Sequence, residues 1–363
     1  MANTQPDVKA SAVSSPLWVA ELSLLSVAVI WGVNIPIMKI ALGMQMDRFA
    51  LNGLRLVISS ATLLIFAWLE YRRGIYPDVR RNWKRLLGYA VLVSVLYQLL
   101  FLLAVSQTTS ADIALIMATV PMWTAIGARI VLKEVLVPRA WLGLWIAFAG
   151  TVIVTLQGNT AAPGTPPATV VVESLESGEK DTALFTVEGL ETPGLVVPPT
   201  SKPQPVKAGD SSAAADRRFM GNLIALAAAL MWSGGTICSR PMLKSISPVQ
   251  LSAFSATTGL PFHLAVAWSA LPGSLVLLRE IPMDLCLLYS GVLSTGLALP
   301  MWSYGVKYAG AAHATMFQNL SPIVAIVAAW LMLGEPLSVA QVIGGLLILG
   351  GLIVMRSARK QGA

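Results

Sequence analysis

The chain has 363 residues, 55% of them hydrophobic and 12% charged, with a formal net charge of +7. A typical globular domain is roughly 25% charged, so two soluble domains are excluded, and apolar runs of about 20 residues, enough to cross a bilayer core of about 30 Å, recur throughout. The shorter alternating segments of a β-barrel are absent, and the two cysteines, Cys238 and Cys286, offer no disulfide framework or metal-ligand spacing.

Residues 1–16 form a polar tail, predicted to be disordered. The first apolar stretch, from Leu17 to about Ile40, is too long for a signal-peptide core and has no small-residue cleavage site behind it, so it reads as a retained span. Spans at about 47–69, 84–106, 110–132 and 139–156 complete a first group of five. Residues 157–218 differ in kind, with proline-rich ends and eight acidic residues against five basic. They read as a flexible linker outside the membrane, with room for a marginal hairpin around Ser177-Gly178-Glu179-Lys180. A second group of five spans follows at about 219–240, 248–270, 284–307, 311–333 and 338–356, then a short tail over 357–363.

The two groups are copies. A shift of 201 residues aligns 109–151 with 310–352 without a gap, pairing Pro121 with Pro322, Glu134 with Glu335, Gly143 with Gly344 and Gly150 with Gly351. Earlier in each half it pairs Trp31 with Trp232 and Lys39 with Arg240. The glycine pairs mark small-residue helix faces suited to close packing.

The cations orient the chain. With the N-terminus cytoplasmic, fifteen Lys and Arg fall on inside segments, while the short outside loops hold only Lys39, Arg48 and Arg279. Both termini are therefore expected in the cytoplasm, and the +7 charge reads as orientation, not as a nucleic-acid surface. An odd number of spans per copy inverts the second half against the first. The expected fold is thus all-α and polytopic, with ten transmembrane helices in two inverted five-helix repeats. That build places a binding site near the midplane between the halves.

Several residues near that depth carry polar or shaped surface. Pro121 and Pro322 each lie about eleven residues into a span and free the carbonyls of Met117 and Gln318; a hinge, a cavity lining or a packing kink all fit. Gln318 and Asn319, Asn34 beside Pro36, and Tyr97 with Gln98 need partner helices or a wet cavity, because unsatisfied polar groups are costly there. Trp31 and Trp232 occupy matching interior positions suited to lining a site for an amphipathic substrate, whereas Trp302 and Tyr304 fit either lining or an interfacial belt. Arg55, about eight residues into the second span, is either functional or snorkels outward. Arg129 is expected to snorkel. Glu134 and Glu335, at helix breaks, are expected to hold turn amides or loop cations. His263 reads as a satisfied interhelical histidine, and His313 as a titratable group without a further role.

WGVNIPIMKIAL, LNGLRLVISS, SADIALIMATVPMWTAIGARIVLKEVLVPRAWLGLWIAFAG, LMWSGGTICSRPML and YAGAAHATMFQNLSPIVAIVAAWLMLGEPLSVAQVIGGLLILGG together resemble the EamA-type carriers of the drug/metabolite transporter superfamily. The resemblance covers all but the N-terminal tail and the linker. It implies export or exchange of small polar or amphipathic metabolites across a bacterial inner membrane. Arg55 matches an arginine common at this place in the family, where it could attract a carboxylate or phosphate. The small multidrug exporters of the same superfamily depend on a mid-span glutamate in their first helix, and Glu21, Asp47, Asp112, Glu134 and Glu335 all lie near span ends here.

These readings favour a carrier for a neutral or anionic amphipathic metabolite, with a proton-coupled drug exporter as the alternative. A membrane enzyme would need a reactive cluster that two scattered histidines do not supply, and a channel would need a ring of filter residues. No P-loop, metal site or cofactor is expected. The partners expected are the bilayer and a small-molecule substrate.

Overall fold

The computed structural model describes residues 17–77, 79–108, 113, 116, 117, 119–134, 137–157, 208–334 and 339–360. Among them every regular element is a helix. The first half contains α1 (Leu17–Gly43), α2 (Arg48–Arg72), α3 (79–107), α4 (Val120–Leu132) and α5 (Pro138–Gln157). The second contains α6 (Ala208–Met242), α7 (Pro248–Ala267), α8 (Leu271–Arg279), α9 (Ile281–Ala309), α10 (Ala311–Leu333) and α11 (Val339–Lys360).

Six of these, α1, α2, α3, α6, α9 and α10, have stretches long and apolar enough to cross a membrane, and α7 with α8 would make a seventh. The sequence expects one span over 248–270. Helix α7 fills Pro248–Ala267 of that stretch, and the chain then turns by 101° into α8, where Pro272 is the second residue. Six residues at the start of the expected fourth span, most of the expected linker with its hairpin, and Glu335 lie outside the described residues. At the far end of that linker, α6 reaches back to Ala208 through the alanine-rich stretch AGDSSAAADRR, because alanine is the best helix former.

Local chemistry fixes the helix ends alike in both halves. Asp47 caps α2 by accepting from the Phe49 and Ala50 amides at 2.9 and 3.0 Å. Ser247 caps α7 through a capping box with Gln250, ahead of Pro248 at the first helical position. Both α3 and α9 pass through π-helical turns, at Val91–Tyr97 and Tyr289–Leu297.

Packing is reciprocal between the halves. Helix α1 runs along α9 and α10, and its counterpart α6 runs along α3 and α4; α2 packs on α9 and α7 on α3; α2 meets α7, and α5 meets α11. One crossing shows the relation at atomic detail. A Cβ on Gly32 would stand 2.7 Å from the Ser321 carbonyl, and at the matching place Ser233 Oγ donates to the Val120 carbonyl at 3.3 Å. The main core lies between the halves and includes Leu24, Trp232, Leu251, Trp302 and Met316. Outward faces carry large apolar side chains, among them Leu64, Ile65, Trp68, Ile130, Leu331 and Ile353. Such a surface suits lipid and not water.

Candidate substrate site

Four aromatic rings from four helices meet between the halves. Trp31 lies 5.7 Å from Trp232, edge-on, and 5.5 Å from Trp302; Trp232 and Trp302 are 5.8 Å apart, and Tyr97 lies 4.8 Å from Trp232, measured between centroids. All fall within the roughly 4.5–7 Å range in which aromatic pairs attract. Two of the three indoles have acceptors. Trp31 Nε1 donates to the Ser294 carbonyl at 2.9 Å, and Trp232 Nε1 donates to Gln318 Oε1 at 3.2 Å. Ser294 sits within the π turn of α9 and Tyr97 ends the π turn of α3, so both irregular turns contribute to the cluster.

The expected amides are distributed around it. Asn34 Oδ1 accepts from Ser290 Oγ at 2.6 Å. Asn319 is buried, and its Nδ2 has no acceptor among the described residues. Gln98 follows Tyr97, half-buried, at the head of the last α-helical stretch of α3. Pro121 is the second residue of α4 and is buried. Pro322 is the second residue of the helical stretch Ser321–Leu333, directly after a 3-10 turn at Phe317–Leu320 that holds Gln318 and Asn319. Each proline therefore opens a helical stretch. Met117 packs half-buried against the core, and Trp302 joins the cluster while Tyr304 packs on Tyr308 at 4.6 Å.

Arg55 heads a chain of polar groups beside the cluster. Its Nη2 donates to Asn52 Oδ1 at 2.7 Å, Asn52 Nδ2 meets His263 Nδ1 at 3.3 Å, and His263 Nε2 meets the Ser94 carbonyl at 2.6 Å. A carbonyl only accepts, so His263 Nε2 carries the proton and Nδ1 accepts from Asn52. Asn52 thereby turns its oxygen to Arg55. Ser94 Oγ also bonds Ser255 Oγ at 2.6 Å. The sequence identified Arg55 and His263 but not their link. Asn52, three residues before Arg55 on the same helix face, was the readable signal; Ser94, Ser255, Ser290 and Ser294 looked like any serine in an apolar span.

Two acidic side chains are also placed. Glu134 Oε1 lies 2.9 Å from Arg240 Nε, and Arg240 Nη1 donates to the Val306 carbonyl at 2.6 Å, joining the ends of α4, α6 and α9. Glu21 Oε1, near the start of α1, lies 3.3 Å from His313 Nε2 at the start of α10, both buried. Sequence reasoning missed that pair, because at the shift of 201 Glu21 falls on the neutral Asn222 and His313 on Asp112, so the repeat shows no second acid–histidine pair. Among the described residues no three His, Cys, Asp or Glu side chains come together as metal ligands.

A model of the EamA-like transporter family matches residues 18–156 and again residues 219–357. The chain belongs to that family. Membership as an EamA-like transporter agrees with the apolar helices and makes this a multi-pass membrane protein with a general transport role. It is 24% identical over 304 residues to the uncharacterized transporter YyaM of Bacillus subtilis (strain 168), covering 82% of this chain and 81% of YyaM. An uncharacterized transporter of Archaeoglobus fulgidus is 20% identical over 341 residues, 94% of this chain and 98% of that one. A solved crystal structure shares the fold with a TM-score of 0.63 at 16% identity, covering 95% of this chain and 99% of that chain.

Proposed function

We propose that this EamA-like protein is a secondary carrier that moves a small neutral or anionic amphipathic metabolite across the bacterial inner membrane, by export or exchange. The observation that carries this reading is the meeting of Trp31 and Trp232, matching residues of the two copies, 5.7 Å apart within one aromatic–amide cluster. A site shared by two halves is the arrangement in which rocking one half against the other exposes the same residues to alternate sides. In this reading the chain crosses the membrane ten times, as two inverted sets of five, with both termini in the cytoplasm. Trp31, Asn34, Arg55, Tyr97, Gln98, Met117, Pro121, Trp232, Gln318, Asn319 and Pro322 serve the substrate.

The test is counterflow in liposomes. Extracts of cell metabolites are loaded inside, and efflux of each compound is followed with and without the same extract outside. Saturable flux stimulated from the opposite side supports a carrier; unsaturable flux indicates a channel and overturns it. The buried Glu21–His313 pair favours a second reading, proton-linked export, since a titratable pair enclosed between α1 and α10 is a place to hold a proton. Flux that stops when the pH gradient is collapsed selects that reading over uniport or exchange.

A further inference from the structure

Arg55 is a cation without an acid. Among the described residues no carboxylate pairs with it, its one hydrogen bond is to the neutral Asn52, and its Nε is enclosed with no acceptor. A charged side chain inside a membrane protein is costly and persists where it meets a partner or a ligand pathway. The chain of bonds from the Ser94 carbonyl through His263 and Asn52 holds the guanidinium in place but offers it no negative charge.

The duplication shows that packing does not call for this cation. The helix caps Asp47 and Ser247 align α2 with α7 at a shift of 200, which puts Ser255 opposite Arg55; the shift of 201 puts Ala256 there. Neither is charged. The same helix is built in the second half without an arginine, so the first half keeps one for another reason. At the other end of that chain of bonds, Ser94 shares the π turn of α3 with Tyr97, whose ring packs on Trp232 at 4.8 Å. The cation therefore borders the aromatic cluster.

We propose that Arg55 is the anion-recognition residue of the carrier, and that the substrate is a monocarboxylate whose apolar, ring-like body lies against Tyr97 and Trp232. A guanidinium presents a planar fork that matches a carboxylate, and one cation balances one negative charge. A phosphate monoester, with a charge of about −1.5 to −2 near neutrality, would leave excess charge enclosed. Asn52 and His263 are positioning residues that act through Arg55.

This inference rests on the carrier reading for its meaning, and its test separates the two. The purified full chain is melted in detergent, at constant ionic strength, with phenylacetate, its neutral isostere phenylacetamide, or phenyl phosphate. Phenylacetate is expected to bind about tenfold more tightly than the amide and than phenyl phosphate. Arg55→Gln abolishes that preference while amide binding stays, and Arg55→Lys keeps part of it. Should Arg55→Gln fail to fold, Asn52→Leu keeps the charge, loosens its placement and is expected to shrink the preference. Equal binding of acid and amide, a preference that survives loss of Arg55, tighter binding of the phosphate, or no Arg55-dependent shift with any of the three overturns the proposal. Labelled phenylacetate is then followed in counterflow. Arg55-dependent binding without flux removes the carrier reading and leaves the anion site standing; flux indifferent to Arg55 does the reverse.

Discussion

Gly150 lies so close to Gly344 that a Cβ on it would stand 2.5 Å from the Gly344 carbonyl oxygen. The reciprocal contact is present as well: a Cβ on Gly351 would stand 2.5 Å from the Gly143 carbonyl. Since Gly150 matches Gly351 and Gly143 matches Gly344, the two contacts are one contact seen from either side of an approximate two-fold axis between α5 and α11. Backbones approach this closely only where side chains are missing, so the interface depends on dispersion contacts that lipid cannot replace.

Gly150→Val and Gly351→Val are each expected to destabilise the protein by about 1–3 kcal/mol, the usual cost of forcing methyl groups into a filled contact. Gly350, one residue away, has open space where its Cβ would go, so Gly350→Ala is the control. Melting temperatures of the detergent-purified variants read the difference. Two glycine variants that melt like the control would show that α5 and α11 do not meet as described.

The Glu134–Arg240 pair is expected to act as a structural clasp. Its side chains are 22% and 31% exposed, so screening limits the pair to the order of 1 kcal/mol. Arg240→Gln should cost more than Glu134→Gln, because the arginine also donates to the Val306 carbonyl. The double variant should cost less than the sum of the two. Strict additivity in thermal melts would mean that the two charges do not interact.

Lys133 and Gly334 occupy matching places after α4 and α10, and both adopt left-handed conformations, with φ of 57° and 68°. Glycine adopts this region freely, whereas a residue with a Cβ is strained there by about 1–2 kcal/mol. Lys133→Gly is therefore expected to stabilise the protein, by about 1 kcal/mol after the added freedom of the unfolded chain is subtracted. A lower melting temperature for this variant would imply that the Lys133 side chain makes a contact worth more than the strain.

What the sequence revealed follows from what a repeat can reveal. Gly143, Gly150, Gly344 and Gly351 were readable as packing faces because each occurs twice, and Trp31 with Trp232 was readable as interior for the same reason. Trp302 has Phe101 at its matching position, and nothing in one dimension separated cluster from interfacial belt for it. Partners across the halves were hidden too. Glu134 was legible as a helix-end group suited to holding a turn amide or a loop cation, but that Arg240 is the cation depends on α4 and α6 ending side by side. The turn between α7 and α8 was marked by Pro272-Gly273, yet its angle depends on what packs around it. Asymmetric polar groups, Arg55 with Asn52 and Glu21 with His313, escape a method built on repetition, and they are where the two halves do different work.

The contact between Trp232 and Gln318 makes the last prediction, since it joins two residues of the candidate site across a helix boundary. The indole N–H donates to Gln318 Oε1 at 3.2 Å, and Gln318 is held for this by the 3-10 turn ahead of Pro322. Gln318→Leu leaves the enclosed indole N–H without its acceptor and is expected to cost about 1–3 kcal/mol, the desolvation penalty of an orphaned donor. Trp232→Phe removes the donor and some ring area, leaving the amide to find another partner. With both changes nothing polar is stranded, so the double variant should be more stable than the sum of the single losses predicts, by about 1 kcal/mol or more. Melting of the four proteins in one detergent closes the cycle. If Gln318→Leu proves neutral on its own, the bond is not made in the resting protein, and Gln318 would be available to a substrate instead.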